Sequence, residues 1–349
     1  MNRILLSVLA FFLIANNSFG QAEKNKEYKI RTVGFYNLEN LFDTINDLET
    51  NYQANPMFEV KGDKSKVYWE KINNMAKVIS EIGVKDAHSS PAIVGVVEIE
   101  NKEVLEDLIN SKHLKDDHYD IIHYHSPDKR GIDVGMIYQK RYFKPVSHES
   151  FELKLYNDEG ERIFTRDQLL VSGYLDDELV HIIVNHWPSR RGGEAKSRPL
   201  REKAAALNMT IIDKIRETEP NAKIITMGDL NDDPINTSVK KVLNAKGKKK
   251  QVEEGDIYNP FEEMFRRGLS TLGYRDNINL FDQILFTSPF MAEDYSTYQF
   301  YKAGIFNPRY LTSKKGRYKG YPFRSFSYGK FTGGYSDHYP TYIYLIKEK

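Results

Sequence analysis

Lys223-Ile224-Ile225-Thr226-Met227-Gly228-Asp229-Leu230-Asn231 is a short apolar run that ends in an acid and an amide. Further on, Ser336-Asp337-His338-Tyr339 leads into a second apolar run, Tyr342 to Ile346. Runs of this length, rich in β-branched residues and bounded by polar ones, read as buried strands. Polar groups at their ends then lie on the rim of a sheet, where an α/β fold gathers its chemistry.

The same pattern extends outward along the chain. Lys29 to Tyr36 alternates like a strand, and Asn37 to Asp43 reads as a turn into a short helix. Residues 44–66 are polar and without period, which predicts a long surface loop. From Trp69, the positions Ile72, Met75, Ala76, Ile79 and Ile82 recur at helical spacing. Strands are predicted at Ala92 to Val97, Tyr119 to His123, Val134 to Tyr138, Gln168 to Tyr174, Leu179 to Val184, Phe281 to Phe286 and Thr341 to Ile346. Further helices are expected over Glu103 to Asn110 and Leu200 to Glu217. Many strands with a few helices imply mixed sheets flanked by helices, and no linker or repeat divides the chain.

The 349 residues suffice for a large core. Arg3, the twelve-residue, largely apolar run Ile4 to Ala15 and the small-residue site Ser18-Phe19-Gly20 read as a secretory signal over residues 1–20. That apolar run is too short to span a bilayer, so no anchor is expected after cleavage. The expected location is the periplasm or the medium. Cys is absent, which excludes a disulfide framework and a thiolate zinc site. Removing the signal leaves 49 basic and 49 acidic residues, so net charge points to no partner.

Acids, amides and two histidines lie at the ends of several strands: Asn37 and Glu39, Glu98, His186, Asp229 and Asn231, Asp282, and Asp337 with His338. Any one of them reads equally well as a cap or turn former. Glu98 is harder to explain that way, because charge at the end of a buried run costs desolvation unless paired or metal-bound. Acids and imidazoles that converge on one rim hold a proton-transfer pair and a hard cation, which suggests a phosphate ester as substrate.

The series FYNLENLFD (35–43), VVEIEN (96–101), RGIDVGMIY (130–138), FTRDQ (164–168), VNHWPS (184–189), MGDLNDDP (227–234), FDQILF (281–286) and SDHYP (336–340) resembles the endonuclease/exonuclease/phosphatase superfamily. The resemblance covers residues 28–347. It implies an α/β fold, a four-layer sandwich of two mixed β-sheets flanked by helices, and a hydrolase acting on phosphate esters. It implies Glu98, Glu39 and Asp337 as metal ligands, with Asn37 and Arg166 contacting ion or phosphate. Asp229 would be the acid/base residue and Asn231 a donor to the phosphate. His338 held by Asp282 would bind the phosphoryl group or move a proton, and His186 would be the general acid. Hard oxygen ligands suit Mg2+ or Mn2+, and Ca2+ could help hold loops.

Two stretches bear on substrate. From Tyr295 through Ser336 there are eight Lys or Arg, thirteen aromatics and no acid. Cations follow a phosphate backbone and exposed rings stack on bases. Arg190, Arg191, Lys196, Arg198 and Arg201 suggest a second basic rim after His186. The expectation is a monomer without a stable protein partner, cutting DNA or RNA with little sequence preference. The alternative is a phosphodiesterase or phosphatase on phospholipid head groups or inositol phosphates, similar to sphingomyelinases.

Overall fold

The computed structural model describes residues 26–45 and 55–349. The secretory reading of residues 1–20, and residues 46–54 of the polar loop, lie outside the described residues. No helix among the described residues is long and apolar enough to cross a membrane.

The chain begins with β1 (Tyr28–Leu41), α1 (Lys64–Glu81) and the single turn α2 (Val84–Ala87), then β2 (Ile93–Ile99), α3 (Lys102–Ile109), β3 (Tyr119–Tyr124) and β4 (Asp133–Gln139). The middle comprises β5 (Phe143–Phe151), the small pair β6 (Leu155–Tyr156) and β7 (Arg162–Ile163), β8 (Gln168–Leu175), β9 (Glu178–His186), α4 (Glu194–Thr218) and β10 (Ile224–Asp229). There follow β11 (Ile257–Tyr258), α5 (Phe261–Arg266), the hairpin β12 (Leu272–Tyr274) and β13 (Asn277–Asn279), and β14 (Asp282–Thr287). The chain closes with β15 (Gln299–Ile305), the pair β16 (Phe326–Ser327) and β17 (Lys330–Phe331), and β18 (Thr341–Glu348).

Two six-stranded sheets result among the described residues, ordered β15-β18-β1-β2-β4-β3 and β11-β14-β10-β9-β8-β5. Each is mixed: β1 runs parallel to β2 and β10 parallel to β9, and the other pairings within both sheets are antiparallel. The period of two sorts their side chains. Val33 and Phe35, Val180 to Val184 on alternate residues, Ile225 and Met227, and Ile284 and Phe286 fill the gap between the sheets. The opposite parity, Val94, Val96 and Ile137, meets Ile72, Met75 and Ile79 of α1 and Leu105 and Leu108 of α3. Ile183, Ile224 and Leu285 likewise meet Ala204, Ile211 and Ile215 of α4. This is the expected four-layer α/β sandwich.

Local readings were revised in three places. Asn37 to Leu41 continues β1 rather than turning into a helix, with a register shift between Asn37 and Leu41. There Glu39 and Asn40 adopt φ of 47° and 48°. Helix α1 starts five residues before Trp69, at Lys64, where Asp63 Oδ1 accepts Lys66 N at 2.9 Å and caps it. The strands β5 and β15 carried no readable alternation: β5 is a largely exposed edge with Pro145, and β15 bulges between Phe300 and Lys302.

Candidate active site

The rows that fill the inter-sheet gap turn polar at one end. Val33-Phe35 is followed at the same parity by Asn37, Val184 by His186, Met227 by Asp229, and Ile284 by Asp282. Register brings three of these side by side, with Asp229 opposite His186 on one flank and opposite Asp282 on the other. Gly228 is required for this closeness, since a Cβ there would meet Asn185 O at 2.3 Å.

Asp229 is the centre. Its Oδ2 lies 3.6 Å from His186 Nε2, 3.8 Å from His338 Nε2 and 3.2 Å from the donor Asn37 Nδ2. Its Oδ1 accepts Asn231 N at 3.0 Å. The His338 Nδ1 to Asp282 Oδ2 separation is 2.7 Å, an ion-paired dyad. His338 is positioned from the other sheet: its N–H donates to Ser336 Oγ, which donates to Asn37 O at 2.7 Å. Glu98 closes the row, with Oε1 3.8 Å from His186 Nε2 and Oε2 accepting Asn40 N at 3.0 Å. Glu98, Asn40, Glu39 and Asn231 all have left-handed backbone. Such strain persists only where the surroundings fix it, and it clusters at functional sites.

The electrostatics separate the two histidines. Burial disfavours charge on His338, but Asp282 and Asp229 outweigh it and hold the imidazole protonated, well above its ordinary range. Burial keeps His186 neutral, well below that range, and the cations Arg166 and Arg130 act in the same direction. Burial and the charge of Asp282 push Asp229 up to about 7 against the opposing pull of His338.

Other expected residues take different positions. Glu39 is buried and its carboxylate is taken by Ser325 N, Phe326 N and Arg324 Nε. Arg324 also holds Asp337 Oδ2 at 2.9 Å. The two acids expected beside Glu98 as metal ligands are thus bridged by a guanidinium. Burial and Asp337 raise Glu39 to about 7. Arg166, expected to contact phosphate, is a buried clamp, donating to Asp128 Oδ2 at 3.0 Å and to Trp187 O at 2.6 Å. Asn231 Nδ2 donates to the same Trp187 carbonyl at 3.0 Å. The second basic rim is partly spent on pairs within the chain, while Arg191 and Lys196 stay exposed. Arg201 is fully buried 2.6 Å from Asp232, Arg190 binds Asp232 and Asp233, and Arg198 pairs with Glu194.

Lys71 is a residue the sequence reading missed. It is buried in α1 and donates to the carbonyls of Glu39 and Asn40, fixing the left-handed turn beside Glu98. Burial lowers it to about 8, opposed by Glu39 and Glu98. Its position in a helical run offered one signal, a cation among the apolar residues of the buried face.

The donor set fits a hard divalent cation. Glu98 has an oxygen outside hydrogen-bond reach of any neighbour, and Asp282 Oδ1 is buried without a partner. Asp229, Asp282 and His338 each offer a ligand atom within 4.8 Å of one another. A protonated His338 nevertheless serves as a donor there rather than as a ligand.

A profile of the Endonuclease/Exonuclease/phosphatase family matches residues 32–347. The chain belongs to this family and is a phosphoester hydrolase. Enzymes of the family typically depend on a divalent metal. No curated protein sequence matches the chain significantly. Among solved structures, it is similar to an endonuclease/exonuclease/phosphatase family protein from Bacteroides thetaiotaomicron, with 16% identity, TM-score 0.54 and coverage of 92% of this chain and 99% of that one. It is also similar to a mannosyl-6-phosphatase from the same organism, with 16% identity, TM-score 0.54 and coverage of 90% and 99%. D. rerio TDP2 complexed with a single-strand DNA product is 13% identical at TM-score 0.51, with coverage of 90% and 98%. At these identities the likeness concerns the fold.

Proposed function

We propose that the protein is an exported, metal-dependent phosphodiesterase that hydrolyses DNA or RNA with little sequence preference. The observation that carries this reading is the unbroken row Glu98–His186–Asp229–His338–Asp282 beside a cationic loop. Lys314, Lys315, Arg317 and Lys319 are exposed on that loop with Tyr318, and Arg324 ties its base to Asp337, next to His338. The exposed Tyr328 ring contacts Tyr318 through its hydroxyl, so stacking surface and cations occur together.

In this mechanism water attacks phosphorus, a new P–O bond forms and the ester P–O bond breaks, the leaving alkoxide taking its proton from solvent water. Asp229 takes the proton of the water, and Asn37 and the Asn231 amide hold its carboxylate in place. Protonated His338 binds a phosphoryl oxygen. His186 orients groups between Glu98 and Asp229, because burial disfavours the imidazolium that a general acid would need. A Mg2+ or Mn2+ ion, when bound, neutralises charge that develops on the phosphoryl group, and Glu98 would hold it.

The sandwich also resembles a structure named as a sugar phosphatase, so a small phosphate ester is the competing substrate. The test is a panel of plasmid DNA, RNA, sphingomyelin, an inositol phosphate and a sugar monophosphate, with Mg2+ or Mn2+ and with chelator. Cleavage of nucleic acid that chelator stops supports the reading. Turnover of lipid or monoester with nucleic acid untouched replaces it.

A further inference from the structure

His123, His125 and Asp133 form a compact group that takes no part in the chemistry above. His123 and Asp133 share the parity of Ile121 and Ile137, which pack on the helix side of their sheet. Asn37, Asp229 and Asp282 point into the gap between the sheets instead. His123 Nε2 lies 2.8 Å and His125 Nδ1 3.1 Å from the same oxygen, Asp133 Oδ2. The three ligand atoms all fall within 4.8 Å of one another.

We propose that His123, His125 and Asp133 form a second cation site, one that takes a borderline-soft divalent ion of the Zn2+ type. Two imidazoles and one carboxylate suit such an ion better than Mg2+, which prefers oxygen. Ligand atoms around a tetrahedral ion with bonds of about 2.0–2.1 Å lie about 3.3 Å apart. The two nitrogen-to-oxygen separations, 2.8 Å and 3.1 Å, fall slightly short of that, so both imidazoles would open away from Asp133 to admit the ion.

The supporting shell is already built. Asp133 and the His123 side chain are buried, and Asp133 Oδ1 accepts Ser126 N at 2.8 Å, which sets the plane of the carboxylate. The two rings meet edge to face with centroids 4.9 Å apart. β3 is the edge strand of its sheet, and the His125 side chain is 70% exposed. Solvent therefore reaches the group, leaving a fourth position for water. Ser126 and Asp128 lie in the segment that follows, and Asp128 holds Arg166. An ion here would pin the loop that carries this clamp.

The test uses the whole protein carrying Glu98→Gln, stripped with chelator and then kept in excess Mg2+, so that the catalytic rim does not compete. Zn2+ is titrated by calorimetry, and Co2+ is added separately to read coordination by visible absorption. The expected result is one equivalent of Zn2+ and intense tetrahedral Co2+ bands. His125→Ala should lose the bands and weaken Zn2+ binding about a hundredfold, with the metal-free melting temperature unchanged; His125→Gln should behave the same way. Equal Zn2+ binding with and without His125, or no binding in either protein, overturns the proposal.

Discussion

Asn37 at the end of one sheet donates from Nδ2 to Asp229 Oδ2 of the other, across 3.2 Å. This contact crosses the gap at the point where the apolar rows stop, and it fixes the orientation of a carboxylate that burial alone would leave protonated. With Asp229 pushed up to about 7, the base is ionised only above that pH. The kcat/KM profile of the enzyme should therefore rise with pH through about 7 and fall again, well above the ordinary His range, as His338 loses its proton. Asp229→Asn should lower the rate about 10²- to 10⁴-fold and abolish the rising limb. A surviving limb would assign the base elsewhere.

Glu98 presents an oxygen that no neighbour engages, so Glu98→Gln should act on the metal rather than on the fold. The Mg2+ or Mn2+ concentration for half-maximal activity should rise about tenfold or more, with the melting temperature almost unchanged. An unaltered metal requirement would remove Glu98 from the cation site. Glu39→Gln should instead lower stability, because Ser325, Phe326 and Arg324 all bind that carboxylate.

Asp167 is raised to about 6 by burial, against weak support from Leu153 N–H. The folded state then holds this proton more tightly than the unfolded chain does. The sign follows from linkage: this group adds stability as pH falls from about 6 towards its unfolded value, and that contribution is lost as pH rises through about 6. Asp167→Asn should flatten this part of the curve. Chemical denaturation of both proteins between pH 4 and 7 checks it, and parallel curves would show that Asp167 does not titrate there.

Lys314, Lys315 and Arg317 are exposed at the tip of the cationic loop. Replacing all three by Ala should weaken binding of single-stranded DNA and reduce its dependence on log salt by about two units of slope. Turnover of a small phosphodiester, which does not reach the loop, should stay unchanged. An equal salt slope would place nucleic acid on another face.

The sequence made the inter-sheet strands and their polar ends legible, because the inner rows are apolar up to the residue where they turn polar. Asn37, Glu98, His186, Asp229, Asp282 and His338 were each visible as a polar residue at the end of such a run. What it could not show is who pairs with whom. Arg201 looks like a surface cation in a polar helix, yet it lies buried against Asp232, and Arg324 counts as a basic residue while it neutralises two acids. Asn37 to Phe42 places Leu38, Leu41 and Phe42 at helical spacing, which masked an extended chain with left-handed residues at Glu39 and Asn40. Lys71 was hidden for a similar reason: helical periodicity marks a face but not the carbonyls that wait opposite it.

The last strand lies between β15 and β1, pairing Tyr28 with Glu348, and Lys349 N donates to Glu27 O. The sheet that β1 opens is therefore completed by a strand far along the chain, and neither half of residues 28–348 builds that sheet by itself. His338, just before β18, meets Asp229 only once that strand has been laid beside β1. Joining residues 27 and 349 by a short peptide, with new ends opened in an exposed turn, should yield a permuted enzyme that keeps its rate.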